Sequence, residues 1–253
     1  MLIDLHVHSH HSPGCNLAPR DVIRRAKAVG LDGVVFTDTN TLDGMDEIEA
    51  AARDESFLAL CAVEIVTDRG HYLCYFPEPR KVPAPPQMFG TTPWPVRDVV
   101  QRVRDLGGAV VAAHPYDRSI ERPSGDFIFT LEGLAALEGL NARRKGPSND
   151  LAVEAADHMN LPCIGASGAH PTLDDIGQAA TLFRHPVTSE RDVVRQLLAG
   201  EVFCVALGVT PQGERGRGAH RDRGGDRAGR GDRGDRGGHR RRGGRERRDR
   251  RDR

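Results

Sequence analysis

Apolar residues occur along the first 208 positions in two patterns, one with the period of a strand and the other with that of a helix. Short runs dominated by Ile, Val, Leu and Ala predict buried strands. Between them, apolar residues recur every three or four positions, which predicts helices with one buried face. The two patterns follow each other in turn, so the sequence predicts an α/β fold.

The predicted elements account for most of this part of the chain. Strands are predicted at residues 2–7, 33–38, 57–65, 71–76, 109–113, 134–140, 163–166, 179–183 and 203–207. Helices are predicted at residues 19–30, 45–53, 96–106, 151–159 and 190–199. Residues 77–95 carry seven prolines and are expected to form an irregular insertion that, with the 115–130 loop, shapes a binding pocket.

Strands that alternate with helices favour parallel pairing through helical crossovers. Polar residues gather just after the predicted strands, which is where α/β-barrel enzymes keep their active sites. A closed or distorted α/β barrel is therefore the predicted fold. An open doubly wound sheet is the alternative, although the sequence carries no glycine-rich phosphate loop to support it.

The formal net charge of zero is the sum of two unlike parts. Residues 211–253 hold 17 Arg and 8 acidic residues, a net charge of +9, and contain no Val, Leu, Ile or Phe with which to build a core. Residues 1–210 hold 19 basic and 28 acidic residues, a net charge of −9. We predict one barrel domain, residues 1–208, and a disordered tail, residues 209–253, whose abrupt onset also fits a shift of reading frame.

Cysteine usage indicates a reducing compartment. The five cysteines are odd in number, form no C-x-x-C pair and lie mostly in apolar runs, as buried thiols of a cytoplasmic protein do. No charged leader precedes an apolar stretch, and no apolar run is long enough to span a membrane. We therefore expect a soluble, cytoplasmic protein. The sequence does not indicate its oligomeric state.

The candidate chemistry begins at the first strand, with the pair His6 and His8. Alternate residues of a strand share a face, so both imidazoles can reach one cation, with Zn–N bonds of about 2.0–2.1 Å. Further candidate ligands recur beside other predicted strands: His10, His11, Glu64, His71, His114 and His170. This recurrence predicts a metal site where the strands end.

Five motifs, in order along the chain, resemble the polymerase-and-histidinol-phosphatase (PHP) domain family. They are DLHVHSHHSPG, GLDGVVFTDTNTLDG, VEI followed by GHYLCYF, AAHPY, and GASGAHP. The resemblance covers about residues 1–208, and the order of the motifs makes it more specific than any one of them. It implies a distorted seven-stranded α/β barrel that binds two or three metal ions, commonly Zn, Mn or Fe, and hydrolyses phosphoesters.

Carried over by position, the resemblance implies that His6, His8 and Glu64 hold a first metal ion. It also implies that Glu64 bridges to a second ion held by His71 and His114. The chemistry of the residues agrees, because one carboxylate can join two cations about 3.5–4 Å apart, a spacing that suits in-line displacement at phosphorus. We therefore expect two divalent ions and hydrolysis by metal-activated water.

The chain departs from the family pattern at several ligand positions. Pro13 and Gly14 stand where the family usually has His or Asp, Thr39 stands for His in T-D-H-N, and Gly168 stands for Asp in S-D-A-H. A third metal ion thus loses two of its three ligands, which leaves His170. The first ion also loses its second carboxylate.

Two repairs of the first site are conceivable from the sequence. Either Asp38, His10 or His11 swings toward the ion, or the ion keeps more water ligands. Asp38 is a candidate catalytic residue, and a buried carboxylate that caps a loop or helix is the alternative interpretation. His170, without third-metal partners, is a candidate to donate to a substrate phosphate or to protonate a leaving group.

Basic residues follow two predicted strands near the expected site. Arg118, Arg143 and Arg144 are the candidate phosphate ligands, because guanidinium groups can bind phosphate oxygens bidentately. The charge of −9 over residues 1–210 argues against a broad nucleic-acid groove and favours a small phosphorylated molecule. The tail lacks Phe and Tyr and carries eight acidic residues, which argues against RNA binding there.

Three functions follow from these features. The first is a metal-dependent phosphoesterase acting on a small phosphorylated substrate. The second is a catalytically degenerate barrel that binds a ligand or partner, which the substituted ligand positions favour. The third is an amidohydrolase-type enzyme, which often bridges two metals with a modified lysine, but Lys27, Lys81 and Lys145 all lie outside the predicted strands.

Overall fold

The computed structural model describes residues 1–144 and 147–208. In this part, nine strands form one mixed sheet that curls into a nearly closed barrel. The strands are β1 (Leu2–Val7), β2 (Gly33–Thr39), β3 (Leu58–Thr67), β4 (Gly70–Tyr75), β5 (Ala109–Ala113), β6 (Ala136–Asn141), β7 (Cys163–Ala166), β8 (Ala179–Phe183) and β9 (Val202–Ala206). The helices are α1 (Pro19–Ala28), α2 (Met45–Glu55), α3 (Pro85–Phe89), α4 (Val96–Asp105), α5 (Ser148–His158) and α6 (Glu190–Ala199).

The predicted distorted α/β barrel is confirmed, with a strand order of β7-β6-β5-β4-β3-β2-β1-β8-β9. The resemblance implied seven strands, and the sheet has nine. The two ends of the sheet approach each other where the Thr181 hydroxyl donates to Gly165 O at 2.8 Å and accepts from Gly165 N at 3.1 Å. A Cβ at Gly165 would lie 2.5 Å from Ala180 O, so the close approach needs glycine.

The alternation of strand and helix patterns predicted parallel pairing, but some pairs of strands are antiparallel. β4 runs antiparallel to both β3 and β5, and β8 runs antiparallel to both β1 and β9. β3 and β4 are joined by only two residues, which form a hairpin and are too few for a helical crossover.

The apolar core has an inner part and two outer parts. Ile3, Val35, Leu73, Val111 and Ile164 project from five strands into one inner cluster. Buried residues of α6 join this cluster, so α6 closes one end of the barrel. One outer cluster lies under α1 and α2, and the other lies under α4 and α5.

The topology gathers the predicted site at one edge of the sheet. β1, β2 and β3 are parallel, as are β5, β6 and β7. β4 is antiparallel to its neighbours, so its first residues lie beside the last residues of β3 and β5, with His71 opposite both Val66 and Ala113. Residues near the carboxyl ends of six strands and the first residues of β4 therefore meet at the same mouth.

The predicted irregular insertion at 77–95 contains a single turn of 3₁₀ helix, Pro79–Lys81, and the short helix α3. All five cysteines are free thiols. In the ranges that the structure covers, no helix has both the length and the apolarity to cross a membrane. The tail predicted to be disordered lies outside the described residues.

Candidate metal site

Four imidazoles surround one carboxylate at the mouth of the barrel. His6 lies on β1 and His8 directly follows it, Glu64 lies on β3, His71 on β4, and His114 directly follows β5. Potential ligand atoms of His6, His8 and Glu64 lie within 4.8 Å of one another, and so do those of Glu64, His71 and His114. The structure thus brings together all five residues predicted as metal ligands, with Glu64 common to both groups.

The Glu64 carboxylate lies at the centre of the cluster. Its Oε1 is 3.1 Å from His71 Nδ1, 3.4 Å from His114 Nε2 and 3.5 Å from His6 Nε2. Its Oε2 is 3.8 Å from His8 Nε2. Burial opposes ionisation of Glu64, but hydrogen bonds from His114 and His71 outweigh it and hold the pKa of the carboxyl well below its usual range.

The orientation of His6 is fixed by an acidic residue from a different strand. His6 Nδ1 donates to Glu138 Oε1 at 2.9 Å, and Glu138, on β6, is fully buried. Burial opposes ionisation of Glu138, but His6 outweighs it and lowers the pKa of the carboxyl. Burial opposes protonation of His6, but the Glu138 and Glu64 carboxylates outweigh it and raise the pKa of the ring, whose Nε2 faces the cluster.

His8 is oriented by a serine in the loop that follows β1. Ser12 Oγ donates to Asp38 Oδ1 at 2.7 Å and accepts from Thr39 N at 3.0 Å. The hydroxyl proton is therefore committed, so the 2.9 Å contact between Ser12 Oγ and His8 Nδ1 requires that Nδ1 donate. Burial lowers the pKa of His8 to about 3, so its Nε2 carries no proton.

The Nε2 atoms of the two rings face each other. His6 Nε2 and His8 Nε2 lie 3.1 Å apart, with both rings almost completely buried. Two lone pairs at this distance repel unless a proton or a cation lies between them. Two nitrogens bound to one tetrahedral Zn²⁺ at about 2.0–2.1 Å would be roughly 3.3 Å apart. The donor set therefore fits a divalent metal ion.

β1 is locally distorted where it delivers His6. Its pairing with β2 shifts register between Asp4 and Val7, and Asp4 Oδ1 accepts from His6 N at 3.2 Å and from Ser167 N at 3.0 Å. Gly168 N donates to His6 O at 2.9 Å. Burial raises the pKa of Asp4 to about 6. These bonds hold the main chain of His6 against the loop that follows β7.

His114 has the strained backbone that is common at functional sites. Its φ is +28°, in the region that non-glycine residues avoid, and its N–H donates to Glu138 Oε2 at 2.7 Å. Its buried Nδ1 has no hydrogen-bond partner among the described residues, since Asp117 Oδ2 is 4.0 Å away. Glu138 thus holds both His6 and His114, the former through its ring and the latter through its backbone.

The residues that depart from the family pattern make other contacts in the site. Thr39 Oγ1 donates to Glu64 Oε2 at 3.1 Å, so it steadies the shared carboxylate. Gly168 has a φ of +60°, and a Cβ there would lie 2.5 Å from Asn141 Nδ2. The fold therefore leaves no room for a carboxylate at position 168 unless Asn141 moves.

The two predicted catalytic residues differ in position. Asp38 accepts from Ser9 N, Ser9 Oγ and Ser12 Oγ at 2.6–2.7 Å, so it caps the loop that follows β1. His170 lines the mouth of the barrel, with its ring centroid 5.1 Å from that of His8. Its Nε2 donates to Pro13 O at 3.1 Å, which leaves Nδ1 available to the cavity or to solvent.

The cluster lies in a small cavity of about 180 Å³. It is lined by His6, His8, Thr39, Glu64, His71, His114, Asn141, Arg143, Arg144, Gly168 and His170. Arg143 Nη1 donates to Gly168 O at 3.3 Å, and Arg144 Nη1 lies 3.0 Å from Asp117 Oδ2. Two of the three predicted phosphate ligands are thus at the cavity. Arg118 is exposed and is absent from the lining described above.

A second cleft, of about 400 Å³, shares His71 with this cavity. Thr92 and Pro93 of the proline-rich insertion line it, together with Glu121 and Arg122 of the 115–130 loop. Both segments that the sequence predicted to shape a pocket therefore border the space next to the cluster.

Several supporting residues were not predicted from the sequence. Glu138 is the most important, with Asn141 Nδ2 donating to its Oε1 at 3.0 Å. A single acidic residue inside the apolar run 134–140 was the available signal, because a charge in a buried strand requires partners. Ser12 gave no comparable signal, since hydroxyl residues are common in loops. Lys145, one of the three lysines considered in the sequence, lies outside the described residues.

Comparison with protein families gives two matches. The PHP domain matches residues 4–116, and the PHP-associated region matches residues 146–202. An uncharacterized protein of Methanocaldococcus jannaschii is 29% identical over 164 residues, which are 60% of this chain and 90% of that protein. A 5'-3' exoribonuclease of Haemophilus influenzae is 38% identical over 65 residues, 26% of this chain and 23% of the exoribonuclease.

Two solved structures have a similar fold. One, from Bifidobacterium adolescentis, is assigned as a metal-dependent phosphoesterase; it has a TM-score of 0.54 and 18% identity, and covers 78% of this chain and 95% of its own. The other is an amidohydrolase from Chromobacterium violaceum with bound sulfate, with a TM-score of 0.56 and 19% identity, covering 81% of this chain and 98% of its own. At these identities the likeness establishes the fold.

Proposed function

Because the chain belongs to the PHP-domain family, we propose that it is a metal-dependent phosphoesterase that hydrolyses a small phosphorylated substrate. One observation carries this proposal: the Nε2 atoms of His6 and His8 face each other, 3.1 Å apart, beside Glu64 in a cavity that Arg143 also lines. A cation site and a guanidinium in one small cavity are what a phosphate ester requires.

Two divalent ions (Zn, Mn or Fe) are proposed as cofactors. His6, His8 and Glu64 would hold one ion, and Glu64, His71 and His114 the other. When bound, such a pair lowers the pKa of water toward neutrality and neutralises charge on phosphate oxygens. The space lost at Gly168 argues for two ions and against three.

Arg143 and Arg144 are proposed to bind the non-bridging oxygens of the phosphate. Arg144 is held in place by Asp117, at 3.0 Å, and Arg143 by Gly168 O, at 3.3 Å. Neither contact uses all five donors of a guanidinium, so each group keeps donors for an anion. Arg118 is exposed, and we assign it no part in phosphate binding.

His170 is proposed to move a proton at the leaving group. Its Nε2–H is engaged by Pro13 O, so Nδ1 would take or give the proton. Asp38 receives a positioning role instead, because its two oxygens already accept from Ser9 and Ser12. Its effect on the site passes through the Ser12 contact with His8.

The alternative function, a barrel that binds a ligand or partner without catalysis, has its own support. Thr39 hydrogen-bonds Glu64 where the family pattern has a histidine, and Gly168 leaves no room for an aspartate. A site with fewer protein ligands would bind metal more weakly. Among the described residues neither lysine supports an amidohydrolase with a lysine bridge, because Lys27 lies on α1 and Lys81 on a 3₁₀ turn.

The deciding experiment combines metal analysis with a hydrolysis screen. Protein purified without chelator is assayed for bound metal and for hydrolysis of 4-nitrophenyl phosphate and bis(4-nitrophenyl) phosphate. We expect bound divalent metal and turnover that Glu64→Gln abolishes, whereas His185→Ala, at an exposed position, retains it. Bound metal without hydrolysis of any phosphoester would favour the binding function. The absence of bound metal after reconstitution would overturn the proposal.

Cytoplasmic location stays a prediction.

A further inference from the structure

A second group of potential ligands lies on the loop that follows β1. His10 Nε2 and His11 Nε2 each lie 2.9 Å from the same oxygen, Oε2 of Glu47. One ligand atom from each of the three residues lies within 4.8 Å of the others. This group shares no residue with the Glu64 cluster or with the lining of its cavity.

The loop after β1 and helix α2 bring these three side chains together. The adjacent residues His10 and His11 lie on the loop, with ring centroids 4.5 Å apart, and Glu47 lies in the first turn of α2. A Cβ at Gly44 would lie 2.6 Å from His11 Cδ2, so glycine at the start of α2 makes room for the ring. Two separate segments of the chain therefore converge on one point.

The donor set is that of an open zinc site. Two imidazole nitrogens and one carboxylate oxygen are sufficient protein ligands for Zn²⁺ when water takes the fourth position. In a tetrahedral zinc site two ligand atoms are separated by roughly 3.3 Å, close to the 2.9 Å between each ring nitrogen and Glu47 Oε2. The three side chains are 25–46% exposed, so a water ligand and the ion itself have access.

We propose that His10, His11 and Glu47 bind one divalent transition-metal ion of the zinc type, at a site independent of the Glu64 cluster. The ion would take the place of the two Nε2 protons that otherwise hydrogen-bond Glu47. It would tie the loop to α2. Because this loop also carries Ser12, the ion would stabilise the segment that orients His8.

The Glu47→Gln variant separates a metal site from a simple hydrogen-bond cluster. Glutamine keeps an oxygen that accepts from ring N–H groups but is a weak zinc ligand. We expect this variant to melt in chelator at nearly the same temperature as the wild type. We expect it to lose the part of the Zn²⁺-induced increase in melting temperature that this site supplies.

Zn²⁺ stoichiometry is measured on the full chain by equilibrium dialysis. We expect wild-type protein to bind one equivalent more than Glu47→Gln and than the double variant His10→Ala/His11→Ala. Glu49→Gln is the matched control, as a partly exposed carboxylate on the same helix that lies outside this group of ligands, and should bind as the wild type does. Equal stoichiometry in wild type and both test variants would overturn the proposal. The result does not depend on hydrolysis, since metal binding is the readout.

Discussion

Glu138 Oε1 lies 2.9 Å from His6 Nδ1 in the interior of the barrel, where the Glu138 side chain is inaccessible to water. The other oxygen of the same carboxylate accepts from the backbone N–H of His114 at 2.7 Å. One acidic residue on β6 therefore sets the ring orientation of one proposed metal ligand and the strained backbone of another. Carboxylates in this position raise the basicity of the imidazole that they contact.

The variant Glu138→Gln should weaken metal binding while keeping a polar side chain at this buried position. Glutamine has the same size, but it cannot supply a charged acceptor to His6 Nδ1. Loss of such an outer partner typically reduces metal affinity or activity by about 10–100-fold. We expect a reduction in that range in the Zn²⁺ affinity of the Glu64 cluster, measured by competition with a chromophoric chelator.

A matched control for this experiment is Glu132→Gln, because Glu132 is exposed and precedes β6. It should bind metal as the wild type does. A Glu138→Gln protein with wild-type affinity would show that the orientation of His6 is set by other contacts. Circular dichroism of both variants checks that the fold is retained.

The variant Ser12→Ala should reduce stability even without metal. It removes the acceptor of His8 Nδ1–H and one donor to Asp38, and both partners are buried. Leaving buried polar groups unpaired costs about 1–3 kcal/mol each. For a domain of this size, each 1 kcal/mol lowers the melting temperature by about 2–4 °C.

We expect Ser12→Ala to melt at least several degrees below the wild type in the presence of chelator. Ser56→Ala, at an exposed serine, serves as the control. Identical melting of the two variants would mean that water replaces the Ser12 hydroxyl. In that case the assignment of the Nδ1 proton of His8 would lose its basis.

The five clustered ligands were predicted from the resemblance to the PHP family, and each lies within a predicted strand or directly after one. His6 lies in the apolar run of β1 and His114 directly follows that of β5, and both runs predict strands clearly. The topology of the sheet then brings the carboxyl ends of these strands together. Glu138 was missed because its partners are remote, with His6 132 positions away in the chain. Contacts of this kind depend on the register of β6, which local pattern does not specify.

Asp38 is the converse case, a residue that the sequence proposed and whose oxygens the structure directs toward a loop. A carboxylate at the end of a strand next to a metal motif suggested catalysis, with a buried cap as the alternative. The structure gives it three donors from the loop after β1, including the hydroxyl of Ser12. Whether a polar residue faces the cavity or the loop depends on side-chain direction at the strand end, which hydrophobic periodicity does not determine.

The variant Arg143→Ala should raise KM for a phosphorylated substrate and leave the metal content of the protein nearly unchanged. Hydrogen bonds to charged groups contribute about 1.5–3 kcal/mol, which corresponds to roughly 10–150-fold in KM. Arg118→Ala should change KM little, because Arg118 is exposed and lies outside the cavity lining. A larger effect at Arg118 than at Arg143 would reverse our assignment of the phosphate site.

The variant His170→Ala should reduce turnover while leaving bound metal unchanged. Its ring lines the cavity next to His8, but Pro13 O engages its Nε2. Proton transfer by a positioned side chain contributes about 10²–10⁴-fold to rate, so kcat should fall by at least two orders of magnitude. Loss of metal from this variant would instead place His170 among the ligands. Unchanged turnover would remove it from the mechanism.

Substitutions at position 168 test whether the side chain of Asn141 occupies the space that an aspartate would need there. Gly168→Ala should destabilise the protein, because φ is +60° and the new Cβ would lie 2.5 Å from Asn141 Nδ2. We expect a loss of about 1–3 kcal/mol in the free energy of unfolding. In the Asn141→Ala background the steric part of this loss should disappear, whereas the backbone part should remain. A double-mutant cycle measured by urea unfolding separates the two. Additive effects would show that Asn141 moves aside freely, and that an aspartate at position 168 would have been tolerated.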